Sequence, residues 1–299
     1  MQVDPEETPP PNALLLLVSG DGIPLLVRRY GDVQAPPSAA VGVMSALYHA
    51  ARRENGSAVD LQLLALETKH RSVVYEMTPI DMLLVIASDK PCNDCPSSRV
   101  MVRRMLRTVF DALLLLIGRR NLREWDASKL RAAISKQVEI LDAIVKQFDV
   151  DPRFVSGRPV RDVVAYRQLD GIDIDKSDGL IQGAWLENGE LVGEYFRPEG
   201  SKILDSRELV LLTVLGECVG RRESNYTHHI GRVYLKRTQA DVKVVIRNSS
   251  RGPLITFIGI FRGNAGEDKA LRDAVRMGVV LFVRMSGGGA YVVFTTAGR

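Results

Sequence analysis

Cys92 and Cys95 stand in KPCNDCPSS at the C-x-x-C spacing that can offer two thiolates to a zinc ion or close a redox disulfide. A zinc site needs two more ligands, and the candidates are Cys218 and the neighbours His228 and His229, all in the far half of the chain. A Pro-flanked polar loop accounts for the same residues without any ligand. SGDG at 19–22 raises phosphate binding, but no GxxxxGK[ST] follows and the segment leads into an apolar strand instead of a helix N-terminus. His49, His70, His228 and His229 lie near no nucleophile motif such as GxSxG, and Asp173 and Asp175 sit in a segment that reads as solvated. The residues therefore point to binding and away from catalysis, with no cofactor, metal or catalytic group expected.

Composition narrows the class. A chain of 299 residues with 45% hydrophobic content suggests two globular domains. MQVDPEETPPP is acidic and Pro-rich, the opposite of a signal peptide, and runs such as Ala112 to Ile117 are far too short to span a bilayer. An odd count of three cysteines favours a reducing compartment, and so a cytoplasmic protein whose sequons at Asn55, Asn225 and Asn248 go unused. The net charge of +4 is unevenly spread: residues 1–150 carry 18 basic and 18 acidic side chains, so the excess lies beyond them. Residues 219–262 hold nine Lys or Arg against Glu223 and Asp241, a local +7.

These charges and cysteines must be positioned by a repeated plan. Strands at 12–18 and 23–30, folded about Gly20, Asp21 and Gly22, have the apolar density of strands covered on both faces. An alanine-rich helix at 38–54 follows, then strands at 60–67, 72–77 and 81–88, and helices at 99–118 and 127–147 from their three- and four-residue apolar steps. The second half repeats the order: a hairpin at 179–196 turning on Asn188-Gly189, a helix at 205–219, strands near 229–237, 241–247 and 254–262, and a helix at 266–284. The division is a tail at 1–11, a domain at 12–150, a linker at 151–178 and a domain at 179–299 without the last helix of the plan, which would leave part of one sheet face uncovered.

Two surfaces invite partners. In SAAVGVMSALYHAARR, stepping residues by 100° puts Ala40, Val43, Met44, Leu47 and Ala51 at the centre of an apolar arc, flanked by Val41 and Tyr48 on one side and by Ala39, Ala46 and Ala50 on the other. The arc covers roughly 220°, about twice what one sheet face requires, leaving Ser45, His49, Arg52 and Arg53 as a narrow polar side. Either the chain's own linker or second domain covers the excess, or a partner docks on it through Val41, Met44 and Tyr48. In the basic stretch, alternation places Arg232, Lys236, Lys243 and Arg247 where they can share one strand face. Such a face is solvated or meets an anionic membrane or acidic partner. Nucleic acid fits poorly, because there is neither a reader helix nor a run of stacking aromatics.

The stretches LLLLVSGDGIPLLVRR, SAAVGVMSALYHAARR, RSVVYEMTPIDMLLVIAS and RMLRTVFDALLLLIGRRNLREWDASKLRAAI, in that order, resemble the first longin domain of the Fuzzy/Mon-type tandem longin family. GAWLENGELVGEYFRPEGSKILDSRELVLLTVLGECV looks like the start of a second, so the resemblance runs over about residues 12–285 and is closer to the Fuzzy branch, which lacks a long leading tail. It implies an α/β fold of two tandem longin-like domains, each an antiparallel five-stranded sheet with helices on both faces. It further implies a non-enzymatic subunit pairing with a second longin protein, Inturned-like or Ccz-like. The pair would act on Rab-like GTPases in membrane trafficking, ciliogenesis and planar cell polarity, at the ciliary base or endosomal membranes. A Mon-type exchange-factor subunit and a stand-alone longin adaptor are the alternative readings. Family members usually carry a third longin domain, for which 299 residues leave no room.

Overall fold

A computed structural model describes residues 12–34, 38–53, 65–67, 71–89, 96–148, 151, 153–154, 157, 167–168, 180–187, 189–196, 204–220, 228–248 and 255–261. The tail at 1–11, the CNDC segment, most of the expected linker and the expected helix at 266–284 lie outside these residues. The chain divides into two compact units, Met1–Phe154 and Val155–Arg299.

In the first unit, β1 (Ala13–Val18), β2 (Pro24–Tyr30), β3 (Ala65–Glu67), β4 (Ser72–Met77) and β5 (Leu83–Ser88) form one antiparallel sheet in the order β2-β1-β5-β4-β3. β1 lies between two neighbours, and all six of its residues are buried, as a run of ALLLLV requires. β2 departs from expectation: it is an edge strand that alternates, with Ile23 just before it and Val27 within it exposed. In the turn, Gly22 alone takes a positive φ (79°), whereas Gly20 is needed for close approach, since a Cβ there would stand 3.0 Å from the Asp81 carbonyl oxygen.

Helices cover both faces of this sheet. On one lies α1 (Ser38–Arg53), whose Val41 and Tyr48 join Leu14, Leu16, Val73, Tyr75 and Val85 in a single core cluster. On the other lie α2 (Pro96–Ile117), α3 (Arg119–Glu124), α4 (Ala127–Ser135) and α5 (Val138–Gln147), of which α2 packs on β4 and β5 and α4 on β2. Arg103 and Arg107 of α2 both donate to the Glu76 carboxylate of β4, at 2.8 and 2.7 Å, and Arg28 and Tyr30 of β2 both donate to Asp142 of α5. Burial and the neighbouring Asp142 charge push the Tyr30 phenol well above its ordinary value.

The single helix expected over 127–147 is two, broken at Lys136 and Gln137, whose amides bond back to Ala133 and Ile134. In one straight helix Ile140 would fall roughly 80–120° away from the Leu130–Ile134–Leu141 stripe, and Ile144 roughly 40–80° away on the same side. The break re-aims the second segment so that Ile140, Leu141, Ile144 and Val145 are all buried.

The second unit repeats the order of strands and sheet. β7 (Leu180–Glu187), β8 (Glu190–Phe196), α6 (Ser206–Gly220), β9 (His228–Leu235), β10 (Ala240–Asn248) and β11 (Ile255–Phe261) give β8-β7-β11-β10-β9, the counterpart of the first sheet. A short β6 (Arg167–Gln168), inside the segment expected to be linker, adds a parallel sixth strand beside Gly193 and Glu194 of β8. The α6 helix starts in a reciprocal box in which Glu208 accepts from the Asp205 amide and Asp205 from the Glu208 amide. The other Glu208 oxygen accepts from the Lys236 amide, tying the β9–β10 turn to that helix start. Trp185, Phe257 and Phe261 lie over the bare Gly183 and Gly259, where a Cβ on Gly259 would approach the phenyl rings to 2.8 and 2.9 Å. The uncovered sheet face expected for this unit is not seen along β10 and β11: Val242–Ile246 and Thr256–Phe261 are buried at every position, so both faces of these strands are covered.

Candidate functional site

The helix α1 is turned the other way from its polar pattern. Ser45, on the expected polar side, is 3% exposed and packs toward the β1–β2 turn, its Oγ lying 3.7 Å from where a Cβ on Gly22 would sit. His49 beside it is half-buried, with Nε2 enclosed and without a hydrogen-bond partner among the described residues. The reason is the size of what fills the sheet surface. The Tyr48 ring stands 6.0 Å from Tyr75 and 5.6 Å from His49, and with Val41 and Met44 it occupies the space between helix and sheet. Burial also pushes the Tyr75 phenol up.

Three expected partner-binding residues are therefore corrected. Val41 and Tyr48 are core residues, 3% and 2% exposed, and Met44 is half-buried against the same cluster. The surface left outward consists of Ala39, Gly42, Val43, Ala46, Leu47 and Ala50, with Val43 56% and Leu47 43% exposed. No charged side chain occurs between Ala39 and Ala50. A helix resting on one sheet face normally carries its polar residues outward, so this arrangement is reversed. The stripe is also shallow: a Cβ added at Gly42 would meet nothing within 4 Å. Alanine and glycine allow a facing backbone to come close. Nearby in sequence, β3 forms one edge of the sheet with Leu66 exposed.

The basic strands divide. Register places Lys243 opposite Arg232 and Arg247 opposite His228 across β9 and β10, so the expected face-sharing holds for the backbone of these three cations, whereas Lys236 lies past the end of β9 in the turn to β10. Arg232 and Lys236 are exposed, but Lys243 is 6% exposed, inside a strand covered on both sides and opposite Phe261 of β11 on its other flank. An ammonium in that position does not reach a lipid or partner surface, and Lys243 is withdrawn from the site. The side chain of Arg247 lies outside the described residues. Cys92, Cys95, His70, Asp173 and Asp175 also lie outside them, as do the side chains of His228 and His229. Cys218 is half-buried, and no group of three metal-ligating side chains occurs among the described residues. No described helix is long and apolar enough to cross a membrane.

Sequence reasoning found the excess apolar arc of α1 but assigned its inner and outer sides by apolar count. The usable signal was residue volume, since tyrosine and valine fill a core and alanine and glycine do not. No family model matches the chain, and no curated protein matches it.

Proposed function

We propose that this protein is a non-enzymatic subunit of a longin-type pair, in which a second longin protein, Inturned-like or Ccz-like, docks on the outward face of α1 and the pair engages a Rab-family GTPase in membrane trafficking. One observation carries the reading: the face formed by Ala39, Gly42, Val43, Ala46, Leu47 and Ala50 is apolar throughout and faces away from the unit's own core. Support comes from the same β-β-α-β-β-β order in both units, which is the plan the resemblance implies. Burying what Val43 and Leu47 expose contributes on the order of 1 kcal/mol each, too little for a stable complex, so the partner must cover more than the helix. The β3 edge of the same sheet, which pairs only with β4 among the described residues, offers backbone groups for such an extension.

Co-expression with candidate second longin proteins tests this directly. The wild-type chain should co-purify as a stoichiometric pair, and Val43→Glu with Leu47→Glu should separate the two while the melting curve of the chain is unchanged. A wild-type chain that stays monomeric with every longin partner, or a pair indifferent to both substitutions, overturns the reading. A nucleotide-release assay on the purified pair then assigns its role: acceleration marks an exchange factor of the Mon type, and GTP-dependent binding without acceleration marks the Fuzzy type.

A further inference from the structure

The turn between α3 and α4 carries a feature that the pairing reading does not use. Trp125 closes α3, its amide bonded to the Asn121 carbonyl and its backbone extended, and it is 37% exposed. It is the one exposed large aromatic among the described residues. Around it the chain is basic: residues 119–136 hold Arg119, Arg120, Arg123, Lys129, Arg131 and Lys136 against Glu124 and Asp126, six minus two, or +4.

Both acids are already engaged. Glu124 accepts from Arg120 at 2.8 Å, while Asp126 caps α4 through the Lys129 amide and pairs with its ammonium at 3.3 Å. That hydrogen bonding holds the Asp126 carboxyl below its ordinary range. Arg131 donates to the Pro24 carbonyl, a neutral acceptor that leaves its charge uncompensated. Arg119 and Arg123 stand one turn apart on α3, flanking the buried Leu122, with Arg119 half-buried and Arg123 exposed, and make no ion pair among the described residues.

From this juxtaposition we infer that the α3–α4 corner is a peripheral contact for an anionic lipid surface, with Trp125 seated at the headgroup level and Arg119 and Arg123 against lipid phosphates. Tryptophan is amphipathic and favours the membrane interface, and uncompensated arginines beside it favour negative headgroups. An acidic protein would be recognised through a groove or a row of matched donors. Here a single, partly exposed ring sits at a bend between two short helices, which suits a yielding surface better. The contact is independent of the α1 pairing reading.

The test uses the full chain and vesicles of phosphatidylcholine with and without phosphatidylserine. Wild type should sediment with the acidic vesicles alone, less as salt rises past roughly 0.1 M. Arg119→Gln with Arg123→Gln should weaken binding about 25-fold, since each cation near an acidic leaflet is worth about fivefold. Brominated acyl chains should quench part of the fluorescence in wild type and none in Trp125→Phe, because Trp185, the other tryptophan, is fully buried. The inference is overturned by equal binding to both vesicle types, by binding to neither, or by variants that bind and quench like wild type. An acidic protein captured by a chain that ignores acidic vesicles overturns it as well.

Discussion

A glutamate at position 48 would have to ionise where Tyr48 now packs against Tyr75, at a site 2% exposed. Removing an aromatic side chain from a core costs about 3–5 kcal/mol, and burying a carboxylate adds to that. Tyr48→Glu should therefore abolish the cooperative thermal transition of the first unit, whereas Val43→Glu, one turn away and outward, should shift stability by no more than about 0.5 kcal/mol. Circular dichroism melts of the two variants decide it; a folded Tyr48→Glu chain would mean that the tyrosine is not the anchor of α1. The contrast explains why composition alone misplaces the partner surface. Apolar residues around most of a helix leave its rotation open, and volume complementarity with Tyr75, distant in sequence, sets it.

At the level of elements, the strands were legible because period and turn chemistry agree. The edges at Ser72–Met77 fall where the alternation and flanking polar turns put them, and Gly189, following Asn188, takes the positive φ of 81° that a tight hairpin needs. The helix break at Lys136 and Gln137 was not legible, since neither proline nor glycine marks it and only the burial of Ile140 asks for it. Nor was the clamp that fixes α5 to the β2 edge. Asp142, 15% exposed at its side chain, accepts from Arg28 Nε at 2.9 Å and from the Tyr30 hydroxyl at 3.1 Å, partners more than a hundred residues away. Asp142→Ala leaves a half-exposed guanidinium and an enclosed phenol without their acceptor. With discount for the solvent around Arg28, that loss comes to about 1–2 kcal/mol, read as a lower denaturant midpoint with an unchanged slope. A variant as stable as wild type would show that β2 is held by its backbone pairing with β1 and its packing against α4 without the clamp.

For the whole molecule, the repeated sheet order and the existence of two units follow from the ordering of strands and helices, which the apolar pattern records. The boundary between them does not, because it depends on two rings. Expectation closes the first domain at residue 150, within DVDPRFV, a polar and proline-bearing run. The structure carries it to Phe154, 4% exposed and stacked on Phe148 at 5.8 Å between centroids with an interplanar angle of 20°. A short tie holds that phenyl in place. Asp151 accepts from the amide and guanidinium of Arg153 through its carboxylate, and from the Phe154 amide through its carbonyl. The ion pairs that fasten strand to helix among the described residues of this unit, Arg28 to Asp142, Arg99 to Glu67, and Arg103 and Arg107 to Glu76, have both partners before that point. A fragment of residues 1–154 should accordingly fold alone and melt in one cooperative transition. A fragment ending at residue 147 loses both Phe148 and Phe154 from the core, and at about 3–5 kcal/mol per buried aromatic it should fail to fold or melt broadly at lower temperature. Scanning calorimetry of the two fragments separates the outcomes; equal stability would place the end of the first unit before Phe148.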